Sequence, residues 1–515
     1  MAETSKAGRK SIPVEDKKVG YKIYITPEQH VEIDTYGIGG SFSEKCVNLV
    51  NIAINAQRND NEKTVKFIDL FAGLGGIRIG FEEAAASAGL KAKCVFSSEI
   101  KKYAVDVYKH HFHENKVHGD ITKVKTKDIP DFDVLLAGFP CQPFSPAGSG
   151  KGFYDTRGTM FFEIERILKE KMQSGRPVAG FLLENVDRLV THDKGNTLSV
   201  ILSKLRGLGY KVNCEVLDSQ YFGLAQSRKR VYIVGCLKNE IDLQGFRKRT
   251  ASFGQIVERG LPIIDSDFTR KLLRYYRVDE LPGKAIKDKR GGKNNIHSWD
   301  FDLKGTTTPQ EKEFLNLLLK ERRKKKWAEI IGIDWMDGMP LTFEQISTFY
   351  HEPNLRQMLD DLLNKNYLVF EHPKKLITEY NEKGEKTYSH REPDETKPKG
   401  YNIVAGKLSF EFSEFLSETE LVPTLVAMDA MKIGVIDGTG VRHLSVKEGQ
   451  RLCGYDPDNY DLSMIDEEDA FDLLGNTVCV PVIEAVAERL IKGMTSKKVT
   501  KKVSQVDNNI NVVCV

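Results

Sequence analysis

Residues 67 to 76 read FIDLFAGLGG and run straight on into IRIGFEEA. The order is an apolar strand, a tight glycine-rich turn, and a helix with Glu82 and Glu83 early in it. Gly73, Gly75 and Gly76 allow the backbone to approach a ligand closely, as nucleotide-binding strand–turn–helix units do. From Thr64 to about Leu237 further apolar runs (CVFSSE, DVLLAGF, AGFLLEN, RVYIVGC) alternate with helical patterns. That rhythm predicts an α/β fold, a mostly parallel sheet with helices on both faces, and it puts ligands at the carboxyl ends of the strands.

The strand ends carry residues suited to chemistry. Glu99 closes the second run, 23 residues after Gly76, where a carboxylate can hydrogen-bond both hydroxyls of a ribose. Gly119, Asp120 and Ile121 follow at the expected end of a third strand, placed for an adenine amino group. GFPCQPFS (138–145) ends DVLLAGF and sets Cys141 between two prolines, a fixed backbone suited to a nucleophile. FLLENV (181–186) brings Glu184 and Asn185 to another strand end, and QSRKR (226–230) gives Arg228 and Arg230 a common face before the strand VYIVG. Taken singly, each has a plainer reading: a tight turn with surface acids, an inert core thiol, a helix cap, a solvated basic edge.

Composition bounds the rest. The 515 residues are 40% apolar and 29% charged, enough to bury large cores and too apolar for a disordered chain, and length suggests about three domains. With 76 basic against 73 acidic residues, the net charge of +3 settles little. Eight scattered cysteines form no C-x-x-C pair or zinc spacing, which predicts reduced thiols in a cytoplasmic protein. The polar start MAETSKAGRK and the lack of any run near ~20 apolar residues predict neither secretion nor a membrane span.

Outside the α/β rhythm lie two further regions. Residues 1–62 contain a small unit: Tyr21 to Ile25 alternates like a strand, Pro27 starts a short helix, and Ser41 caps a second over Ser43 to Ala56. Strand, helix, helix resembles a ribbon-helix-helix module, in which Lys22 and Tyr24 are candidates for reaching bases and the strand pairs with that of a second copy. A helical cap is the other reading. Residues 238–440 are the second region, and within it Gly245 to Lys326 has 21 Lys and Arg against 11 Asp and Glu. Near 330–390, LTFEQIS, LRQMLDDLLNKNYLV and a charged segment read as helix, turn, helix and a two-stranded wing, a winged helix that reads DNA or packs on the basic segment. Regular patterning returns over 441–495 (GVRHLSVKEGQRLCGY, LLGNTVCVPVIEAVAERLI), and 496–515 reads as a flexible tail.

The order FIDLFAGLGG, SSEI, GDI, GFPCQPFS, ENV, QSRKR and LLGNTV closely resembles the bacterial cytosine-5 DNA methyltransferases of restriction-modification systems. The likeness covers roughly residues 64–237 and 441–492 and implies a Rossmann-like S-adenosylmethionine-dependent domain. The block 238–440 falls where that family carries its smaller, variable target-recognition domain. By the same match Cys141 attacks carbon 6 of cytosine, Glu184 contacts ring nitrogen 3 in protonated form, and Arg228 and Arg230 hold the base and the catalytic groups.

Phe71, Gly73, Leu74, Gly75, Glu99, Ile100, Asp120, Ile121 and Pro140 then belong to the S-adenosylmethionine site, closed by Asn476 and Val478, with S-adenosylhomocysteine as product and no metal. Gln142, Ser145 and Gln226 are matched to the DNA. Double-stranded DNA is the implied substrate, its base flipped out under a loop at 145–159, and a cognate endonuclease would cut the same site without touching this protein. Two alternatives are a relative that methylates transfer RNA and a regulator on a dead methyltransferase fold. Phe139 and the long 238–440 block argue against the first, and intact Cys141, Glu184 and Arg228 against the second.

Overall fold

A computed structural model describes residues 25–36, 41–47, 49–50, 64–140, 160–380, 386–404 and 410–496. The chain divides into two compact units, Met1–Thr64 and Val65–Val515. In the first, helix Pro27–Tyr36 is followed by helical residues 42–47, and Ser41 Oγ accepts from Glu44 N at 3.3 Å as an N-cap. Lys45 Nζ lies 3.0 Å from Asp34 Oδ1, and the rings of His30 and Phe42 stack at 4.2 Å. The expected strand at 21–25 lies outside the described residues except for Ile25, which is not in a strand.

The second unit is built on a six-stranded sheet of order β2-β1-β3-β4-β6-β5. Its strands are β1 Thr64–Leu70, β2 Lys91–Ser98, β3 Val134–Gly138, β4 Gly180–Val186, β5 Lys211–Asp218 and β6 Lys229–Cys236. β1, β3 and β4 run parallel, and β6 is antiparallel to both β4 and β5. Alternate residues feed opposite layers: Ile68, Leu135, Leu183 and Ile233 enter one core, and Phe67, Leu136, Leu182 and Val234 the other. Both faces are thus apolar, which is why these strands read as continuous runs. Helices Met160–Gln173 and Asn196–Gly207 cover the first face; Gly76–Ser87 and Val480–Thr495 cover the second.

The helix Val480–Thr495, far away in sequence, reaches the sheet because Gly80 leaves room for it. A Cβ there would stand 2.8 Å from both Ile483 Cβ and Glu484 N. Glu467–Thr495 is long and apolar enough to match a membrane span, contrary to the sequence expectation, yet 67% of its most apolar window is buried. Two other sequence expectations change. The third strand reduces to a single bridge, Ser98 to His118, before a short 3-10 turn Ile121–Lys123. β5 went unread because KVNCEVLD mixes exposed and buried positions at the sheet edge.

Beyond the sheet, a second sheet of order β15-β14-β13-β7-β8 joins Ala285–Ile286 (β7), Asn295–Ile296 (β8), Glu414–Phe415 (β13), Ile433–Asp437 (β14) and Gly440–His443 (β15). The boundary expected at 440 therefore falls at the start of β15. Between them lie helices Pro309–Glu321, Phe343–Ser347 and Leu355–Asn364 around a core of Trp299, Phe314, Leu359 and Tyr401. Strands β9 Leu368–Glu371 and β12 Gly400–Ile403 pair antiparallel beneath them. β10 Lys374–Tyr380 and β11 Lys386–Pro393 make an antiparallel ribbon. With the short helix Lys326–Ile331, whose Trp327 and Ala328 join the same core, this is a four-helix unit with a two-stranded ribbon.

Candidate active site

The glycine turn bends through three left-handed positions, Phe71 at φ 58°, Gly73 at 51° and Gly75 at 71°. A side chain at Gly75 would be strained there and would also strike the Phe112 ring, whose Cζ stands 2.6 Å from the Cβ position. Phe71 adopts a backbone that bulky residues seldom take, a strain that concentrates at functional turns. The carboxylate of Glu99, at the end of β2, is drawn onto this turn. Its Oε2 accepts from Gly73 N at 2.8 Å, and its Oε1 accepts from Ile100 N and Lys101 N at 2.7 and 2.9 Å. Next to it Ile100 is 76% exposed, an open apolar face beside the carboxylate.

Asp120 caps the turn at Ile121, accepting from Thr122 N and Oγ1 at 3.0 and 2.7 Å. Those bonds hold its carboxyl below the usual carboxylate range. Ile121 is buried.

The carboxyl-terminal motif folds back over the turn. A Cβ on Gly76 would lie 2.9 Å from Val478 Cγ2 and 3.3 Å from Thr477 Oγ1. The hydroxyl of Tyr460 donates to the carbonyl of Leu74, whose side chain is core. Asn476 is exposed and bonds back to Asp472 O at 2.8 Å; Asp472 in turn takes Lys101 Nζ and Tyr103 Oη, both at 2.5 Å. The last helices are thereby fastened to the residues just after Glu99.

The second cluster sits at the ends of β3, β4 and β6. Gly138 is in register with Glu184, and Val186 with Arg230. Arg230 Nε lies 3.1 Å from Glu184 Oε1, with side-chain exposures of 14% and 10%. Burial pushes the Glu184 carboxyl up, against the pull of Arg230 and Arg228. Burial, with Arg228 close by, lowers the Arg230 guanidinium. Arg228 itself turns inward. Its Nη1 donates to Leu425 O at 3.0 Å and its Nη2 to Gly475 O and Thr477 O at 2.9 and 2.6 Å. Gln226, expected at DNA, is fully buried: its Nε2 donates to Leu452 O and its Oε1 accepts from Leu425 N. Pro140 is exposed at the end of β3; Cys141, Gln142, Ser145 and the loop 145–159 lie outside the described residues, as do Lys22 and Tyr24.

Two residues here were not assigned roles from sequence. Asn185 Nδ2 donates to Phe139 O at 2.9 Å while its Oδ1 accepts from Val186 N, so it holds the segment leading to Cys141 against the strand that carries Glu184. Asp69, in the middle of FIDLF, is buried beneath the glycine turn, where burial pushes its carboxyl up to about 7. Tyr108 Oη donates to it at 3.0 Å, and Arg78 links Tyr108 to Glu82 and Glu114. An acid inside an apolar strand was the available signal.

A glycine turn that takes a carboxylate onto its backbone and a buried acid–arginine pair thus sit two strands apart at the same end of a mixed sheet, where α/β folds of this class bind their ligands. Residues 65–492 match the C-5 cytosine-specific DNA methylase family, and the chain belongs to it. It is a DNA (cytosine-5)-methyltransferase. It is 54% identical to the Type II methyltransferase M.NlaIV of Neisseria lactamica, over 83% of this chain and 99% of that protein. It is 53% identical to M.NgoBV of Neisseria gonorrhoeae, with the same coverage. A solved putative DNA modification methyltransferase from an E. coli prophage aligns over 84% of this chain and all of its own, at TM-score 0.46 and 16% identity.

Proposed function

We propose that the chain is a type II modification enzyme that methylates carbon 5 of one cytosine within a short duplex sequence, acting in the cytoplasm on a base turned out of the helix. The observation that carries the reading is the buried Glu184–Arg230 pair, in register with the strand that leads to Cys141. The Cys141 thiolate forms a bond to carbon 6, and the electron pair released into the ring is met at nitrogen 3 by a proton from Glu184. A raised Glu184 pKa favours the protonated form this step needs. Arg230 fixes the Glu184 carboxyl, and Arg228 holds the segments around it in place.

Carbon 5, now nucleophilic, takes the methyl group; loss of its proton to a base such as water, expulsion of the Cys141 thiolate and return of the nitrogen 3 proton to Glu184 restore the aromatic ring and the enzyme. S-adenosylmethionine is the methyl donor when bound. The turn at Phe71, Gly73, Leu74 and Gly75, the Glu99 carboxylate, Ile100, Asp120, Ile121 and Pro140, and the closing pair Asn476 and Val478 are the residues we assign to hold it. They fit a nucleoside: Glu99 stands on the Gly73 amide, with open apolar surface at Ile100. Bisulfite or nanopore sequencing of DNA from cells expressing the protein tests the reading and yields the recognition site. Absence of 5-methylcytosine at any recurrent sequence contradicts it.

A specific observation favours a second role for the amino-terminal unit. Its Val31, Val47 and Val50 are 64%, 55% and 53% exposed among the described residues, apolar side chains left uncovered in a unit short enough to need a partner for stability. Pairing with a second copy covers such residues, and the paired strands then offer Lys22 and Tyr24 to DNA. Light scattering of the full chain against one lacking residues 1–62 decides this: loss of a dimer supports it, and a monomeric full chain at micromolar concentration refutes it. A cognate endonuclease would recognise the same site independently.

A further inference from the structure

The helical unit and its β10–β11 ribbon lie where the sequence suggested a winged helix, but the charge on helix Leu355–Asn364 is distributed against entry into a groove. Helix Leu355–Asn364 (LRQMLDDLLN) carries one arginine and two aspartates. That arginine, Arg356, lies over the Phe343 ring at 4.3 Å. A helix entering the major groove passes between two rows of phosphates, where a net negative face is repelled.

Positive charge is concentrated on two segments that meet. One runs through 287–293 (KDKRGGK), the other through the interhelical corner 320–326 (KERRKKK), from the end of helix Pro309–Glu321 to the start of helix Lys326–Ile331. They are distant in sequence and locked together in space. Arg322, buried, donates from Nη2 to Lys289 O at 3.0 Å and from Nη1 to Asn402 Oδ1 at 2.6 Å. Asp337 then takes a guanidinium from each segment, Arg290 at 2.9 Å and Arg323 at 2.6 Å. The carboxylates within the segments are spent internally, Asp288 on Ser298 and Glu321 on Lys324 and Lys326. Lys287, Lys289, Lys293, Lys320 and Lys325 are all exposed, and none makes an ion pair among the described residues. Keeping five free cations on a surface organised by a buried arginine makes sense if an anionic polymer neutralises them, since their mutual repulsion otherwise opposes the compact state.

We propose that these two joined segments form the surface that tracks the phosphate backbone of duplex DNA, and that helix Leu355–Asn364 supports them rather than entering the groove. The proposal rests on the DNA-methylating reading and adds where the duplex is held. Each phosphate neutralised releases condensed counterions, so the logarithm of the binding constant falls with the logarithm of salt concentration by about 0.9 per contact.

The test measures binding of the full-length enzyme to a fluorescent duplex containing its methylated site, from low to moderate salt. Changing Lys287, Lys289, Lys293, Lys320 and Lys325 to Gln should lower the magnitude of that slope by about 2 or more and weaken binding on any sequence. The corresponding Lys→Arg variant should keep the slope, which separates charge from folding. Arg356→Gln with Gln357→Ala should leave it unchanged. An unchanged slope in the Gln variant, or a fall in the helix variant instead, overturns the proposal. Failure of the wild-type enzyme to methylate any DNA would overturn the functional reading; normal methylation with an unchanged slope overturns this inference alone.

Discussion

Arg230 Nε stands 3.1 Å from Glu184 Oε1 across the antiparallel β4–β6 pair, with both side chains nearly sealed from water. Burial raises the Glu184 carboxyl and Arg230 restrains the rise. If the protonated acid serves the ring nitrogen, turnover falls as pH climbs through that raised pKa. Arg230→Gln removes the restraint, so the alkaline limb of kcat should move to higher pH even as the rate drops about 100-fold or more. A pH–rate profile measured at saturating DNA checks this, and an alkaline limb that stays in place contradicts the pairing's role.

Glu99 accepts three backbone N–H groups, and under the proposed function it is assigned the ribose of the methyl donor as well. Glu99→Ala should weaken S-adenosylhomocysteine binding by about 1.5–3 kcal/mol for each charge-assisted bond lost, while DNA affinity changes little. Titration calorimetry reads the difference directly. Equal affinities would mean that the glycine turn serves another ligand.

Arg228 and Arg230 differ by two positions and by function. Arg228 joins the carbonyls of Leu425, Gly475 and Thr477, three acceptors that one ammonium cannot span. Arg228→Lys should therefore cost about 2–4 kcal/mol of stability, with a lower midpoint in urea. Arg230→Lys should leave the midpoint near wild type and impair turnover. Equal midpoints for the two would remove the distinction.

Asp69 holds its proton in the fold with a pKa of about 7, against 3.8 in the unfolded chain. The folded state binds the extra proton between those values, so the stability this group confers is full below the unfolded value and is lost as pH rises toward 7. Asp69→Asn keeps an acceptor for Tyr108 without the charge. Relative to wild type, the variant should gain stability between pH 4 and pH 8, by at most roughly 4 kcal/mol. Urea melts at both ends of that range measure it, and a constant difference would show that Asp69 does not titrate there.

The catalytic sheet was legible because its strands are buried on both faces and end in short polar motifs: FIDLF, AGFLLEN and RVYIVGC each give one strand. β5 was missed because an edge strand shares its burial with solvent, and the third strand failed because one bridge at His118 is too little pairing to leave a run. In the candidate site, the placement of Glu99 just after a strand and beside the glycine turn, and of Glu184 near the end of β4, was readable from the sequence. The inward uses of Arg228 and Gln226 were not, because their partners at 425, 452, 475 and 477 are brought in by tertiary folding. No local pattern announces a partner some 200 residues away.

Covalent attack by Cys141 is the central claim, and a trapped adduct tests it most directly. Duplex DNA carrying 5-fluorocytosine at the methylated position should, with S-adenosylmethionine present, give a species of enzyme plus DNA that survives denaturing electrophoresis and maps to the Cys141 peptide, because fluorine cannot leave as the proton does. Cys141→Ser should give no adduct and no turnover while still binding S-adenosylhomocysteine. Absence of an adduct with the wild-type enzyme, or methyl transfer retained in the serine variant, would contradict the account.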